Sequence, residues 1–225
     1  MITILDYKAG NLTSVKRALE HLGIPCQISA DPEVVRRAER IIFPGVGHAG
    51  AAMQVLKERG LDSALVEAVH NGTPTLGICI GCQIILTHSE EGDTSGLNLL
   101  PGVCVRFRFF PSPLTPLLAK HPRRGQGEGP GVREVLKIPH MGWNAVTVMR
   151  PHPLLAHLRP GDEFYFVHSY YPQPAEEACV FATCEYGITF PAAIGRDNLF
   201  AVQFHAEKSG PVGLQVLKNF AEWKA

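Results

Sequence analysis

The sequence predicts an α/β protein with an open, mostly parallel central sheet, helices on both faces and a smaller antiparallel portion. Strand and helix signals alternate from Ile2 to Gln83. Beyond Val103, β-rich runs crowd together with little helical spacing between them. The chain has 225 residues, 45% of them hydrophobic, enough for one sizeable core and short for two. A single domain over residues 1–225 is therefore expected.

The elements follow in order. Ile2-Thr3-Ile4-Leu5 is a short β-rich run. Asn11 is placed to cap a helix from Leu12 to Leu22, where Leu12, Val15, Leu19 and Leu22 share one face, and Gly23 ends it. Pro25 to Ser29 reads as a second strand, and Asp31-Pro32 opens a short helix with proline in its first turn. Arg40 to Phe43 is a third strand, closed by Pro44-Gly45. Asp62 to His70 is helical. Thr75 to Ile78 is a fourth strand, followed at once by a helical run toward His88. Val103–Phe109, Asn144–Met149, Glu163–Tyr171, Val180–Tyr186 and Leu199–Phe204 are β-rich, and Pro211 to Trp223 reads as a closing helix. Residues 110–133, rich in Pro, Gly and basic side chains, read as a loop insertion.

Lys+Arg and Asp+Glu number 21 each, so no net charge draws the chain to nucleic acid or to an acidic membrane. No apolar run approaches the roughly 20 residues needed to span a bilayer. The first apolar run is too short for a signal peptide and stops at Asp6. The six cysteines are scattered through strand-like segments, which suits a reducing compartment. A cytoplasmic protein is expected.

Chemistry concentrates in Gly77-Ile78-Cys79-Ile80-Gly81-Cys82-Gln83. A buried strand running into a cysteine, small residues around it and a helix just after form the pattern of a nucleophile elbow. A cysteine at a helix start feels the positive end of the helix dipole, which favours thiolate. The N–H of Ile80 would face the same space and could bind an oxyanion. A redox or metal pair at Cys79-x-x-Cys82 is the competing reading, although no second ligand pair stands at zinc-site spacing. A thiol nucleophile needs a base of fixed tautomer. Among ten histidines, His205 stands out because it ends an apolar strand-like run with Glu207 two residues on, which in extended chain would share its side. Taken alone, His-x-Glu also suits a surface polar pair.

Together the segments DYKAGNL (6–12), FPGVGHAGAAM (43–53), GICIGCQ (77–83), IPHMGWN (138–144), YFVHSYY (165–171) and QFHAEKSG (203–210) resemble the class I, triad-type glutamine amidotransferases, whose fold is flavodoxin-like. Within that class they resemble the glutaminase subunits of imidazole glycerol phosphate synthases, nearly end to end. The resemblance implies that Cys79 attacks the side-chain amide of L-glutamine, that His205 is its base and that Glu207 orients His205. It implies oxyanion contacts from Val46 and Ile80, with a peptide flip permitted by the glycines beside Val46. It implies substrate contacts from Gly47, Gln83, Glu91, Ser169 and Tyr170. It implies a (β/α)8-barrel cyclase partner met at or near Asn11, Trp143, Asn144, Tyr165 and Lys208, and neither metal nor cofactor. For Trp143, a place in the core is the competing reading. A glutaminase of another synthase, such as that of pyridoxal phosphate synthesis, and a non-catalytic binding protein on the same fold are the alternatives. The chain departs from the family at Lys8, usually glycine, at Cys82, usually methionine, and at Ala206, usually proline. The last departure implies a looser His205–Glu207 geometry.

Overall fold

Successive side chains of a strand point to opposite faces, and the sequence makes both faces of the central strands apolar. Ile4, Ile42, Ile78 and Phe200 join one buried cluster, with Val15 and Leu19 of one helix and Val216, Leu217 and Phe220 of another. Their strand neighbours Leu5, Ile41, Phe43 and Ala201 join a second cluster, with Met53, Leu56, Leu61 and Leu65. Helices therefore cover both faces of one sheet, as expected.

The computed structural model describes residues 1–8, 10–109 and 136–225, so the insertion expected at 110–133 lies outside the described residues. The elements are β1 (Ile2–Leu5), α1 (Leu12–His21), β2 (Cys26–Ser29), α2 (Pro32–Arg36), β3 (Arg40–Gly45), α3 (Ala49–Glu58), α4 (Leu61–His70), β4 (Thr75–Cys79), α5 (Ile80–Ile84), β5 (Leu86–Ser89) and β6 (Thr94–Ser95). They continue with β7 (Leu100–Arg106), β8 (His140–Val148), β9 (Glu163–His168), β10 (Tyr170–Pro174), β11 (Val180–Glu185), β12 (Thr189–Arg196), β13 (Leu199–Val202) and α6 (Gly210–Glu222). Nine strands form one sheet in the order β2-β1-β3-β4-β13-β12-β11-β8-β9, and four form a second in the order β10-β7-β5-β6. The large sheet is parallel from β2 to β13 and antiparallel from β13 to β9. Antiparallel pairing thus occupies the other half of the main sheet as well as part of the smaller one.

Several elements differ from the sequence expectation for identifiable reasons. Asn11 sits at φ 82 and makes no side-chain cap to α1; its amide is bonded elsewhere, as described below. β3 runs on through Pro44 and Gly45, which pair with Ile78 and Cys79. The helix expected to run toward His88 ends at Ile84, because a returning loop takes its free carbonyls: Leu97 N donates to Ile84 O at 2.7 Å and Leu99 N to Ile85 O at 2.9 Å. The single strand expected at Glu163–Tyr171 breaks at Ser169, and its second part joins the smaller sheet beside β7. Helix α3 and strand β12 were not expected; glycine around α3, and Pro191 with Gly195 inside β12, masked their patterns. Among the described residues, no helix is long and apolar enough to cross a membrane.

Candidate active site

Three neighbouring strands deliver the candidate residues. β4 lies between β3 and β13, all parallel, with Gly45 opposite Cys79 and Val202 opposite Ile78. Val46 follows β3, Cys79 ends β4 and His205 lies just beyond β13. Open parallel sheets form ligand sites at such carboxyl ends. Strand pairing thus closes the long sequence gap between the cysteine and the histidine.

Cys79 is buried at φ 55, ψ −105, a backbone conformation that strains an L residue. The turn fits because α5 packs hard on β3: a Cβ on Gly81 would collide with the Phe43 carbonyl oxygen. α5 is only five residues long, so the sharp turn rather than a long helix presents the sulfur. Ile80 is its first residue, and its N–H belongs to the set a helix leaves without internal partners. Cys82 is fully buried beneath the turn, and burial first, then the neighbouring Cys104 and Cys79, push its thiol well above the ordinary range. All six cysteines are free.

His205 Nδ1 lies 2.7 Å from Glu207 Oε1. A carboxylate oxygen accepts, so Nδ1 carries the proton and Nε2 is the basic nitrogen of the neutral ring. Nε2 and Glu207 Oε2 are buried and have no hydrogen-bond partner among the described residues. Burial lowers the proton affinity of His205, while hydrogen bonding and charge from Cys79 and Glu207 reverse this and raise its pKa to about 10. Cys79 ends the strand next to the one that leads to His205, and the raised proton affinity of the ring suits it to take a proton from a thiol.

The His–Glu contact does not come from extended chain. Ala206–Lys208 form a 3₁₀ turn, closed by Lys208 N to His205 O at 3.0 Å and Ser209 Oγ to His205 O at 2.6 Å. These bonds close the turn where Ala206 stands in place of the proline that the resemblance implies. The Asn11 side-chain amide donates to Glu207 Oε1, the atom that also receives His205. With its backbone left-handed at φ 82 and its amide turned to Glu207, Asn11 does not cap α1, and a residue expected near the partner stands behind the base.

The other expected residues fall as follows. Gln83 is buried; its Nε2 donates to Tyr170 O at 2.9 Å and to Gln203 Oε1 at 3.0 Å, and its Oε1 has no partner among the described residues. Ser169 and Tyr170 lie where the chain passes from β9 to β10. Glu91 Oε2 accepts the Ala49 N–H at 2.7 Å, at the start of α3. Val46 lies between Gly45 and Gly47, and Gly47 sits at φ 108 with open space around its Cα. Trp143 is 52% exposed, so the core reading fails; its ring stands 6.1 Å from Tyr165, over which Lys208 Nζ lies at 6.0 Å. Asn144, next to Trp143 on β8, points inward and is buried. Sequence reasoning missed Gln203, whose Nε2 donates to Cys79 Sγ at 3.8 Å. It also missed Tyr7, whose buried hydroxyl has no partner and lies against Gly45. The matching segments DYKAGNL and QFHAEKSG contain both residues and were the signal available.

Comparison with known proteins gives the family. The family model of class-I glutamine amidotransferases matches residues 3–223. The chain is 53% identical over 220 residues to an imidazole glycerol phosphate synthase subunit HisH from Nitratidesulfovibrio vulgaris, covering 98% of this chain and 95% of that protein. It is 44% identical over 224 residues to the HisH subunit of Geobacter sulfurreducens, covering 99% of both. Among solved structures, PurLQS from Thermotoga maritima aligns with a TM-score of 0.69 at 16% identity, covering 98% of this chain and 97% of that one, which speaks for the fold alone. The chain belongs to the class-I glutamine amidotransferases and, within them, to the family of imidazole glycerol phosphate synthase HisH subunits.

Proposed function

We propose that the chain is the glutaminase subunit of an imidazole glycerol phosphate synthase, acting in histidine biosynthesis. It hydrolyses L-glutamine to glutamate and ammonia, and a cyclase subunit consumes the ammonia. The observation that carries the reading is the buried dyad of His205 and Glu207, 2.7 Å apart, set beside a cysteine on a strained strand-to-helix turn.

In the proposed mechanism, Cys79 attacks the side-chain amide carbon as a thiolate. The tetrahedral oxyanion is met by the Ile80 N–H and, after a flip of the peptide preceding it, by the Val46 N–H. Gly47 at φ 108 gives that strand conformational freedom. The imidazolium of His205 gives its proton to the departing nitrogen, and ammonia leaves. Water, deprotonated by His205, then cleaves the glutamyl thioester, and Cys79 returns as the leaving thiolate. Glu207 keeps the His205 proton on Nδ1 between steps. Gly47, Gln83, Glu91 and the backbone of Ser169 and Tyr170 hold the amino acid, with the unpartnered Oε1 of Gln83 as one available acceptor.

Ammonia released into water becomes protonated and ceases to be a nucleophile, so the acceptor site must be reached without crossing bulk solvent. A (β/α)8-barrel cyclase is the proposed partner, and the group of exposed Trp143 and Lys208 with half-buried Tyr165 is the surface proposed to meet it. Asn11 and Asn144 lie behind that surface. A single-domain cytoplasmic enzyme is the form proposed. Ammonia release from glutamine, measured with and without the cyclase and its ligand, tests the function. Cys79→Ala should abolish release while leaving the heterodimer intact; release that survives the change refutes the assignment of the nucleophile. Equal rates with and without the liganded partner would refute a gating flip at Val46.

A further inference from the structure

Behind the exposed face of β8 runs a second pair of histidines with no part in the proton transfers above. His140 and His168 are buried, and His140 Nδ1 lies 3.0 Å from His168 Nε2. The partners at each end fix every proton in the pair. His168 Nδ1 lies 2.8 Å from the Tyr170 carbonyl oxygen, so Nδ1 must donate and Nε2 must accept. His140 Nδ1 must then donate to that Nε2, which leaves His140 Nε2 to accept from Asn144 Nδ2 at 3.4 Å. Asn144 Nδ2 also donates to Glu185 O at 2.8 Å, and Asn144 Oδ1 accepts from Ala145 N at 2.9 Å. Both rings are neutral in this arrangement, since a second proton would set two N–H groups head to head. His140 is held in register by near-parallel stacking on Tyr186 at 4.0 Å and Phe166 at 4.8 Å.

The Tyr170 carbonyl is the junction. It receives His168 from one side and Gln83 Nε2 from the other. Gln83 goes on to Gln203, and Gln203 to Cys79 Sγ. An unbroken series of hydrogen bonds thus links the inner side of β8 to the nucleophile. Met141 and Trp143 alternate with His140 and Asn144 on the same strand and face outward, 62% and 52% exposed.

We propose that His168, locked as a donor by His140, is a positioning residue that fixes the Tyr170 carbonyl and thereby the backbone at 169–170 and the Gln83 side chain that hold glutamine. The role rests on the glutaminase reading above. It is distinct from the triad, because neither ring reaches the reacting atoms; His168 acts on ground-state binding through Tyr170 and Gln83.

Two substitutions separate positioning from mere packing. His168→Phe keeps a ring in the aromatic cluster and removes the donor. His168→Asn leaves a smaller, less well packed side chain but restores a donor at the place of Nδ1. In the heterodimer with its cyclase, His168→Phe should raise the KM for glutamine about 3- to 10-fold, the range expected for one lost hydrogen bond, with a smaller change in kcat. His168→Asn should recover most of that KM while melting at a lower temperature than His168→Phe. His140→Phe, which leaves His168 Nε2 unpaired, should also raise KM. In ¹⁵N-histidine spectra of the wild type, both rings should appear as the neutral Nδ1–H tautomer. KM values that follow melting temperature across the variants would overturn the positioning role, as would an Nε2–H tautomer at His168. An inactive wild-type heterodimer would instead overturn the glutaminase function, and the positioning role with it. An active wild type with unchanged KM in all three variants would overturn the positioning role alone.

Discussion

Lys8 stands at φ 63, in the left-handed region that favours glycine. Its N–H donates to Asp6 Oδ1 at 2.9 Å, a bond that needs no side chain at residue 8. A Cβ in this conformation costs about 1–2 kcal/mol, offset in part by the extra freedom glycine has when unfolded. Lys8→Gly should therefore stabilise the chain by about 0.5–1 kcal/mol, read as a rise of roughly 1–4 °C in Tm for a protein of this size. A lower Tm would show that the lysine side chain contributes more than its backbone strain removes. The same scale explains what the residues disclosed of the site. Cys79, His205 and Glu207 could be nominated from sequence because the proposed nucleophile, base and orienter each need a specific chemical type in a specific local pattern. Gln203 and Tyr7 were not, since an amide or a hydroxyl becomes informative only when its neighbours are known. Asn11 misled for a related reason. Its type suits a helix cap, but its backbone is left-handed and its side-chain amide turns to donate to a carboxylate far along the chain.

Among the elements, those with clean periodicity were recovered nearly to the residue. Helix α4, expected at 62–70, spans Leu61–His70, and α6, expected at 211–223, spans Gly210–Glu222. Elements defined by partners were not. β10 differs from β9 only in which sheet it joins, and β12 carries Pro191 at a register shift in its pairing with β11, where a missing N–H is tolerated. β8 shows how much one strand can carry, with a polar inner side and an apolar outer side. Trp143 on that outer side is the natural anchor of the proposed partner surface, since a large aromatic buries much area at low entropic cost. Trp143→Ala should weaken heterodimer formation by about 2 kcal/mol, roughly 30-fold in Kd, with little change in the Tm of the isolated subunit. Titration calorimetry with the cyclase measures this, and an unchanged Kd would place the docking surface elsewhere.

Across the whole molecule, buried histidines of opposite tendency bound the range of stability. Burial lowers the pKa of His140 and His152 from 6.5 to about 4, and that of His168 to about 3. Unfolding frees these rings to take up protons, so their contribution is full above pH 6.5 and is lost as the pH falls toward 4 and then 3. His205 behaves in the reverse sense. Its pKa is raised from 6.5 to about 10, so its contribution is full below pH 6.5 and fades as the pH rises toward 10. Tm should therefore peak near neutrality and fall on both sides, and His205→Asn should flatten the alkaline side alone. An alkaline limb of unchanged slope in that variant would refute the coupling of His205 to Cys79 and Glu207.

The placement of Val46, Cys79 and His205 after three adjacent parallel strands has a consequence for how the family can vary. Neighbouring strands stand about 4.8 Å apart whatever their sequences, so the sheet acts as a ruler that sets the distances between oxyanion donor, sulfur and ring. Loops between β4 and β13 that carry no site residue can lengthen or shorten without changing those gauge marks. The distances the reaction depends on are thereby insulated from the parts of the surface that touch no site residue.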